Sequence, residues 1–159
     1  MTESARIAAQ LHHAFYGEAW HGPSVREVLD GITPEQARAH PLGAAHSIWE
    51  LVLHITAWVT APHQSIHGKP MPDLAGMPKE VDWPPVRGSG ADAWESAKQA
   101  LFNSANELIA ALPQLGDERL RQTVPGRDFD FYFMLHGVVQ HTLYHAGQIA
   151  LLKKAAQAR

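Results

Sequence analysis

The sequence predicts an all-α protein, a four-helix bundle with a long loop between its second and third main helices. Along most of the chain, apolar residues recur every three or four positions, which is the spacing of one face of an α-helix. No segment alternates apolar and polar residues in the way that a half-buried strand does. Four main helical stretches in one small domain are typical of a helical bundle.

Length and composition limit the classes of protein to consider. A chain of 159 residues predicts one domain, over residues 1–159, and a hydrophobic content of 45% is enough for a buried core. The net charge of −3 and the lack of a basic run argue against nucleic acid as a partner. The chain has neither a signal-peptide pattern nor an apolar run of about 18 residues, so we expect a cytoplasmic protein with no membrane segment. The absence of cysteine fits this location and leaves only nitrogen and oxygen as metal ligands.

The N-terminal part is predicted to contain one main helix and two short segments. An apolar stripe at helical spacing predicts the first helix from about residue 3 to residue 17. Ser24 and Glu27 then form a capping box that begins a short segment as far as residue 31. Thr33 and Gln36 repeat this cap pattern in a connector that stops near residue 41.

The second main helix is predicted to begin after Ser47, which forms a capping box with Glu50. Its apolar positions continue to residue 59, and the helix extends toward His67. Pro62 lies within this stretch, and a proline removes one helical hydrogen bond and crowds the preceding turn. We therefore expect a kink or an early end at this position.

The second half of the chain is predicted to consist of a long loop and two further helices. Residues 68–90 are rich in proline and glycine, and long ordered loops are often functional. Asp92 and Glu95 are predicted to cap the third helix, which Pro113 and Gly116 end, and the last helix covers about residues 130–157. A loop of this length lets the second and third helices run parallel, which gives an up-down-down-up bundle.

Two histidines occupy the apolar stripe of the last helix. Its predicted inward positions include Val138, His141, His145 and Ile149. Spacing of i and i+4 puts both imidazoles on one face of the helix, near enough to bind a single ion. Either residue could instead be a hydrogen-bonded core histidine, but burial of two adjacent neutral rings without partners costs a few kcal/mol. A metal ion accounts for the pair better.

A third ligand has to come from another helix, and His54 is the leading candidate. It lies on the flank of the apolar stripe of the second helix. If that helix is antiparallel to the last one, His54 can meet His141 and His145. Three imidazoles with an open fourth position are typical of a catalytic metal site. The alternative is an interface histidine that is bonded to a carbonyl group.

Other candidates are weaker. His63 and His67 repeat the i, i+4 spacing near a helix end that we expect to be solvated, although they could store or sense a second ion. Glu50 could orient a ligand, but its capping role is simpler. Tyr16, Trp20 and Trp58, together with the 68–90 loop, are candidate walls of a substrate pocket, and His21 is a candidate for its rim. The pair His141 and His145 lacks the glutamate of a HExxH metalloprotease.

Two segments carry a family resemblance. The run His141-Thr-Leu-Tyr-His145-Ala-Gly147-Gln148-Ile149 resembles the HxxxHxGQI signature of the DinB/YfiT-like superfamily. The run from His46 to His54 is similar to the second-helix segment of that superfamily, which ends in its first metal-binding histidine. The resemblance covers nearly the whole chain.

This resemblance implies a four-helix bundle that binds one divalent ion, commonly zinc or nickel, through His54, His141 and His145. It also implies homodimers and, in characterised relatives, thiol-dependent transferases or isomerases in which the metal activates the sulfur of a low-molecular-weight thiol. Some relatives are hydrolase-like. The sequence names neither the small-molecule substrate nor any catalytic residue beyond the metal ligands.

Two classes of function remain after these observations. In the first, the protein is an enzyme whose metal ion lowers the pKa of a bound thiol or water and so makes a nucleophile near neutral pH. In the second, the metal only joins helices of a non-catalytic module. A fourth protein ligand that closes the coordination site, such as His21 or Glu50, would favour this second class.

Overall fold

A computed structural model describes residues 1–73 and 76–157 of the chain. Over these residues the protein is mostly helical and has no strand beyond an isolated bridge between Thr123 and Asp130. The predicted all-α class is therefore confirmed. The helices are α1 (Glu3–Tyr16), α2 (Val25–Leu29), α3 (Pro34–Arg38), α4 (Ile48–Ile66), α5 (Lys79–Asp82), α6 (Gly90–Leu115), α7 (Asp117–Leu120) and α8 (Phe131–Gln157).

The N-terminal helix is fixed at its first turn. The side chain of Thr2 caps α1 by accepting a hydrogen bond from the Ala5 amide. The amides of Glu3 and Ser4 donate to the carboxylate of Asp117, each at 3.0 Å, so the start of α1 is held by α7. The capping boxes predicted for α2 and α3 are both present.

The helix that carries His54 is longer than the proline in it suggests. The predicted capping box of Ser47 and Glu50 begins α4. Pro62 does not end the helix early, because one further turn follows and is held against the core by the buried Ser65 and Ile66. Burial of this last turn offsets the hydrogen bond that the proline removes.

The third long helix begins earlier than predicted. Ser89 is the N-cap residue of α6, and Asp92 therefore lies inside the first turn instead of capping it. Gly90 makes the turn into the helix possible, because its φ of 82° lies in the left-handed region that glycine adopts freely. The helix passes through Pro113 and ends at Leu115, with Gly116 as C-cap.

The long connection between α4 and α6 contains structure of its own. It carries α5, and the Met71 amide donates to the Pro125 carbonyl at 2.8 Å, which joins it to the segment before α8. Two of its residues, 74 and 75, lie outside the described ranges. The connection is thus a folded part of the molecule over most of its length.

The four long helices pack in a ring in which α4 and α1 each contact α6 and α8. Near the start of α4 and α6, Trp49 and Trp94 pack with ring centroids 5.2 Å apart. Further along both helices, the Thr60 hydroxyl donates to the Ser104 hydroxyl at 3.0 Å. The contacts between α4 and α6 therefore occur in the same order along both helices. No helix in the described part of the chain is long and apolar enough to cross a membrane.

Candidate metal centre

Three histidines from two helices meet between α4 and α8. His141 and His145 lie one turn apart on α8, and their Nε2 atoms are 3.0 Å apart. His54 projects from α4, and its Nε2 atom is also 3.0 Å from Nε2 of His141. The structure thus brings together the three residues that the sequence singles out. Among the described residues they form the one group of three or more side chains that could hold a metal ion.

The cluster is largely withdrawn from solvent. His54 and His145 are buried, with 5% and 6% of their surface exposed, and His141 is half-buried. The three rings pack against one another with centroids 4.4 to 4.9 Å apart. Each imidazole therefore has little freedom to turn its Nε2 atom away.

Hydrogen bonds orient two of the three rings. The Nδ1 atom of His54 donates to the Asp82 carbonyl at 2.7 Å, and the Nδ1 atom of His145 donates to Oε1 of Gln148 at 2.6 Å. We assign the proton to Nδ1 in both rings because the partner atom can only accept. The lone pair of each Nε2 atom is consequently left for the centre of the cluster.

The third ring, that of His141, has no hydrogen bond of this kind among the described residues. Its Nδ1 atom is buried and has no hydrogen-bond partner among the described residues. Burial of an unpaired polar atom carries a cost. His141 is therefore held in place by the packing of α8 and by its two histidine neighbours.

Burial keeps all three imidazoles neutral. It lowers the pKa of His54 and of His145, although hydrogen bonds to Asp82 and Gln148 act in the opposite direction. The pKa of His141 falls to about 3, mainly through burial and further through the neighbouring His145 and His54. Neutral imidazole is the form that binds a metal ion, so the cluster is ready for one at neutral pH.

The donor set fits a divalent transition metal. Nitrogen ligands at 2.0 to 2.1 Å from one tetrahedral zinc ion lie about 3.3 Å apart. Two of the three Nε2 pairs, at 3.0 Å, are close to that spacing, and the three ligand atoms all lie within 4.8 Å of one another. Three imidazoles suit zinc, nickel, copper and iron, and they leave a position for a further ligand.

The long connection supplies two contacts to His54 that the sequence does not reveal. Oδ1 of Asp82 lies 3.3 Å from Nδ1 of His54 and accepts a hydrogen bond from Nε1 of Trp58 at 2.7 Å. The ring of Trp83 stacks on the His54 ring, with centroids 3.9 Å apart and planes 7° apart. The same indole stacks on His46, with centroids 3.5 Å apart. Residues 82 and 83 therefore fix the first histidine on two sides.

Gln148 was detectable in the sequence, since it lies three residues after His145 on a helix, where side chains are neighbours. No comparable signal identifies Asp82 or Trp83. Their positions depend on how the connection folds back onto α4, and this lies beyond local sequence patterns.

Several other predictions about the site do not hold. Tyr16 and Trp20 line two other clefts, neither of which includes His54, His141 or His145, and Trp20 is fully exposed. His21 lies beside Trp20, and Glu50 caps α4 while facing His40 and His46. Neither His21 nor Glu50 belongs to the histidine cluster, so among the described residues neither of them is the fourth ligand that would close the site. Trp58 does lie at the site.

Two cavities border the cluster, one at His141 and one at His145. The first has a volume of about 230 Å³, is lined by His141 and Trp58, and is almost entirely apolar. The second has a volume of about 410 Å³ and is lined by His145, Gln148 and Trp83 among others. Each cavity therefore offers space for a small molecule next to one histidine of the candidate metal centre.

The fold and site define an all-helical protein with a three-histidine centre suited to a divalent metal ion. A sequence profile described as the DinB superfamily matches residues 19–149, a span that includes all three histidines. The chain belongs to the DinB superfamily. Comparisons with curated proteins and with solved structures give no match.

Proposed function

We propose that the protein binds one divalent metal ion, zinc or nickel, through His54, His141 and His145, and is a metal-dependent enzyme that activates a thiol or water. The observation that carries this proposal is the convergence of three neutral Nε2 atoms, two of them oriented through their Nδ1 atoms. Such an arrangement supplies ligands without negative charge, so a bound ion would keep its full double charge.

The chemistry follows from that charge. A divalent ion at this centre would lower the pKa of a bound thiol or water and so provide a nucleophile near neutral pH. The protein's own groups hold the geometry. Asp82 and Gln148 keep the Nδ1 protons in place, and the Trp83 ring shields one face of His54 from water.

We favour thiol-dependent group transfer over hydrolysis because the cluster adjoins two cavities. Transfer from a low-molecular-weight thiol to a small-molecule substrate requires space for two organic reactants. Hydrolysis requires one organic reactant and water, so a metal-dependent hydrolase is the alternative enzyme. A substrate screen with and without a small thiol would separate the two.

A non-catalytic module is the second candidate, and one observation favours it. The cluster joins α4, α8 and the long connection, so a metal ion there would also act as a structural clip. This function predicts a large loss of folding stability on metal removal and no exchangeable water on the metal. Paramagnetic relaxation of solvent water by the cobalt-substituted protein would test the second point.

Elemental analysis is the first test of the proposal. Tag-free protein purified without added metal is compared with the His145→Ala variant and with His63→Ala as a control. His63 also belongs to an i, i+4 histidine pair, but it faces Glu107 on α6 and lies outside the cluster. We expect one ion per chain in the wild type and the control, and none in His145→Ala. A wild type that neither contains nor takes up zinc or nickel would refute metal binding.

Access of a thiol to the centre is the next test. Small thiols are titrated into cobalt-substituted protein, and the visible absorption bands of the metal are recorded. We expect new sulfur-to-cobalt bands with a thiol and none with the corresponding alcohol. Unchanged spectra with every thiol would exclude the transferase and leave the hydrolase or the structural module.

The proposal extends to the whole molecule. The four long helices form an up-down-down-up bundle as one domain over residues 1–159. Two sets of contacts support this topology. Contacts between α4 and α6 occur in the same order along both helices, whereas those between α4 and α8 occur in the opposite order, with Trp58 on His141 and His54 on His145.

We also propose that the protein is a homodimer in the cytoplasm. The exposed apolar side chains of Tyr144 and Leu151 on α8, which also line the second cavity, support the dimer. The absence of cysteine supports the location. Light scattering after gel filtration tests the dimer.

A further inference from the structure

We propose that the cavity beside His141 binds an apolar small molecule that carries a carboxylate, with the carboxylate at Arg127 and the other end at the histidine cluster. This inference rests on the proposed function for the reaction that follows binding, and it names the class of substrate that the centre would receive. Binding of the ligand itself depends only on the cavity and on Arg127.

The shape of the cavity follows the first turns of α8. Phe133, Gly137 and His141 line it and are spaced by four residues, so they lie on one face of the helix. At 1.5 Å per residue, the distance from Phe133 to His141 along the helix is about 12 Å. The cavity is thus a channel with the histidine cluster at one end and the start of α8 at the other.

The lining indicates an apolar ligand body. Trp58 and Pro62 form the α4 side, Met71 and Pro72 come from the long connection, and nearly all of the exposed lining surface is carbon. An apolar cavity of about 150 Å³ holds one benzene molecule. A volume of about 230 Å³ therefore has room for one aromatic ring and a short chain.

A single cationic side chain lines this apolar channel. The side chain of Arg127 is only 16% exposed, and its guanidinium lies over the Phe129 ring, 5.3 Å from the centroid. Among the described residues, its partners are Asp73, in an ion pair at 2.9 Å, and the Pro72 carbonyl, and both contacts come from Nη1. The remaining N–H groups of the guanidinium are left to donate to a bound carboxylate, which suits the fork of arginine.

The position of Arg127 sets the orientation of the ligand. Arg127 precedes α8 in the chain, whereas His141 lies in the middle of that helix. A carboxylate at Arg127 directs the apolar body along Phe133 and Gly137 toward the histidines. The ligand is then an organic acid whose reactive atom is separated from its carboxylate by about the length of one aromatic ring and two or three carbon atoms.

Calorimetry with two matched ligands tests this inference. The probes are 3-phenylpropionate and its neutral amide, 3-phenylpropionamide, titrated into metal-free and zinc-loaded protein. We expect the acid to bind at least tenfold more tightly than the amide in both forms. Equal affinities, or no binding of either probe, would overturn the proposal.

Variants assign the two ends of the ligand. Arg127→Met should remove the preference for the acid. Arg121 is exposed, lies in the same segment between α7 and α8 and is outside the cavity, so Arg121→Met should retain the preference. A preference that appears only with zinc and persists in Arg127→Met would place the carboxylate at the metal and refute the proposed orientation. If Arg127→Met fails to fold, Arg127→Gln is the second variant: it keeps N–H donors for Pro72 and Asp73 without the charge, and it should likewise remove the preference for the acid.

Blocking the channel provides a test that leaves Arg127 intact. A Cβ atom at Gly137 would meet nothing within 4 Å, so Gly137→Ala should fold and retain binding. Gly137→Leu should fill the channel and lower the affinity for both probes by more than tenfold. Unchanged binding in Gly137→Leu would contradict the assignment of this cavity. Zinc content measured on the same samples separates the two proposals, because loss of metal binding with intact acid binding would refute only the proposed function.

Discussion

The Nε2 atoms of His54 and His141 lie 3.0 Å apart, although 87 positions separate the two residues in the chain. Asp82 and Gln148 engage the Nδ1 protons of His54 and His145, so only His141 can place a proton between the three Nε2 atoms. One proton satisfies at most one of the two facing lone pairs. A single cation at this position would satisfy all three nitrogens.

Metal addition should stabilise the fold. A ligand that binds only the folded state at 100 times its dissociation constant raises the free energy of unfolding by about 2.7 kcal/mol. We expect zinc to raise the Tm of metal-free wild type, as measured by circular dichroism, and to leave the Tm of His141→Ala unchanged. His67→Ala, an exposed histidine outside the cluster, is the control and should respond like the wild type. Equal shifts in His141→Ala and wild type would contradict the prediction.

Removal of the Gln148 side chain should weaken metal binding. Gln148 orients His145 through a 2.6 Å hydrogen bond, and loss of such a partner typically costs 10- to 100-fold in metal affinity. We expect a loss in that range for Gln148→Ala in a competition assay with a chromophoric zinc chelator. Gln140→Ala, at an exposed position on the same helix, should bind zinc normally. An equal effect of both substitutions would indicate a general perturbation of α8.

Loss of the Asp82 side chain should lower the metal affinity only modestly, although its carboxylate lies 3.3 Å from Nδ1 of His54. Its main-chain carbonyl accepts the shorter hydrogen bond from His54, at 2.7 Å, and this group survives substitution. Asp82→Ala removes the acceptor of the Trp58 indole, so we expect a loss of about tenfold or less in zinc affinity. Asp82→Asn retains an acceptor and should keep Trp58 in place, which its fluorescence spectrum would report. Loss of all zinc binding in Asp82→Asn would show that the charge itself is required.

Acid should destabilise the metal-free protein. The pKa of His141 is about 3 in the folded protein and 6.5 for a histidine that is freely solvated, so below pH 6.5 the unfolded chain binds more protons. The free energy of unfolding therefore falls as the pH falls from about 6.5 toward 3, and this group contributes no pH dependence above 7. The lowered pKa values of His54 and His145 act in the same direction.

Urea unfolding at pH 7 and at pH 5 measures this dependence above the range in which most carboxylates titrate. His141→Gln should show a smaller difference between the two pH values than the wild type. An identical difference in His141→Gln and wild type would show that His141 titrates normally in the folded protein.

Local patterns in the sequence account for the elements that carry the site. The capping boxes at Ser24, Thr33 and Ser47 are all present, because each needs only side chains three residues apart. The pairing of His141 with His145 follows in the same way from the geometry of one helix.

Local patterns fail where two signals compete or where the backbone takes an uncommon conformation. Asp92 carries the expected residue type for a cap, yet Gly90 begins the helix two residues earlier. Pro62 favours an early helix end, yet α4 continues to Ile66, as its apolar pattern predicts, because the following turn packs against the core. Tyr16 and Trp20 are large aromatic residues, but they face clefts away from the histidines.

The sequence by itself therefore predicts the helices and the histidine pair on α8, because hydrogen bonds and side-chain contacts within one helix involve residues that are close in sequence. The position of Asp82 against His54, 28 residues away, and the channel from Arg127 to His141 arise only when α4, α8 and the long connection pack together. Contacts between distant segments depend on the burial of several apolar faces at once, and no single segment encodes that arrangement.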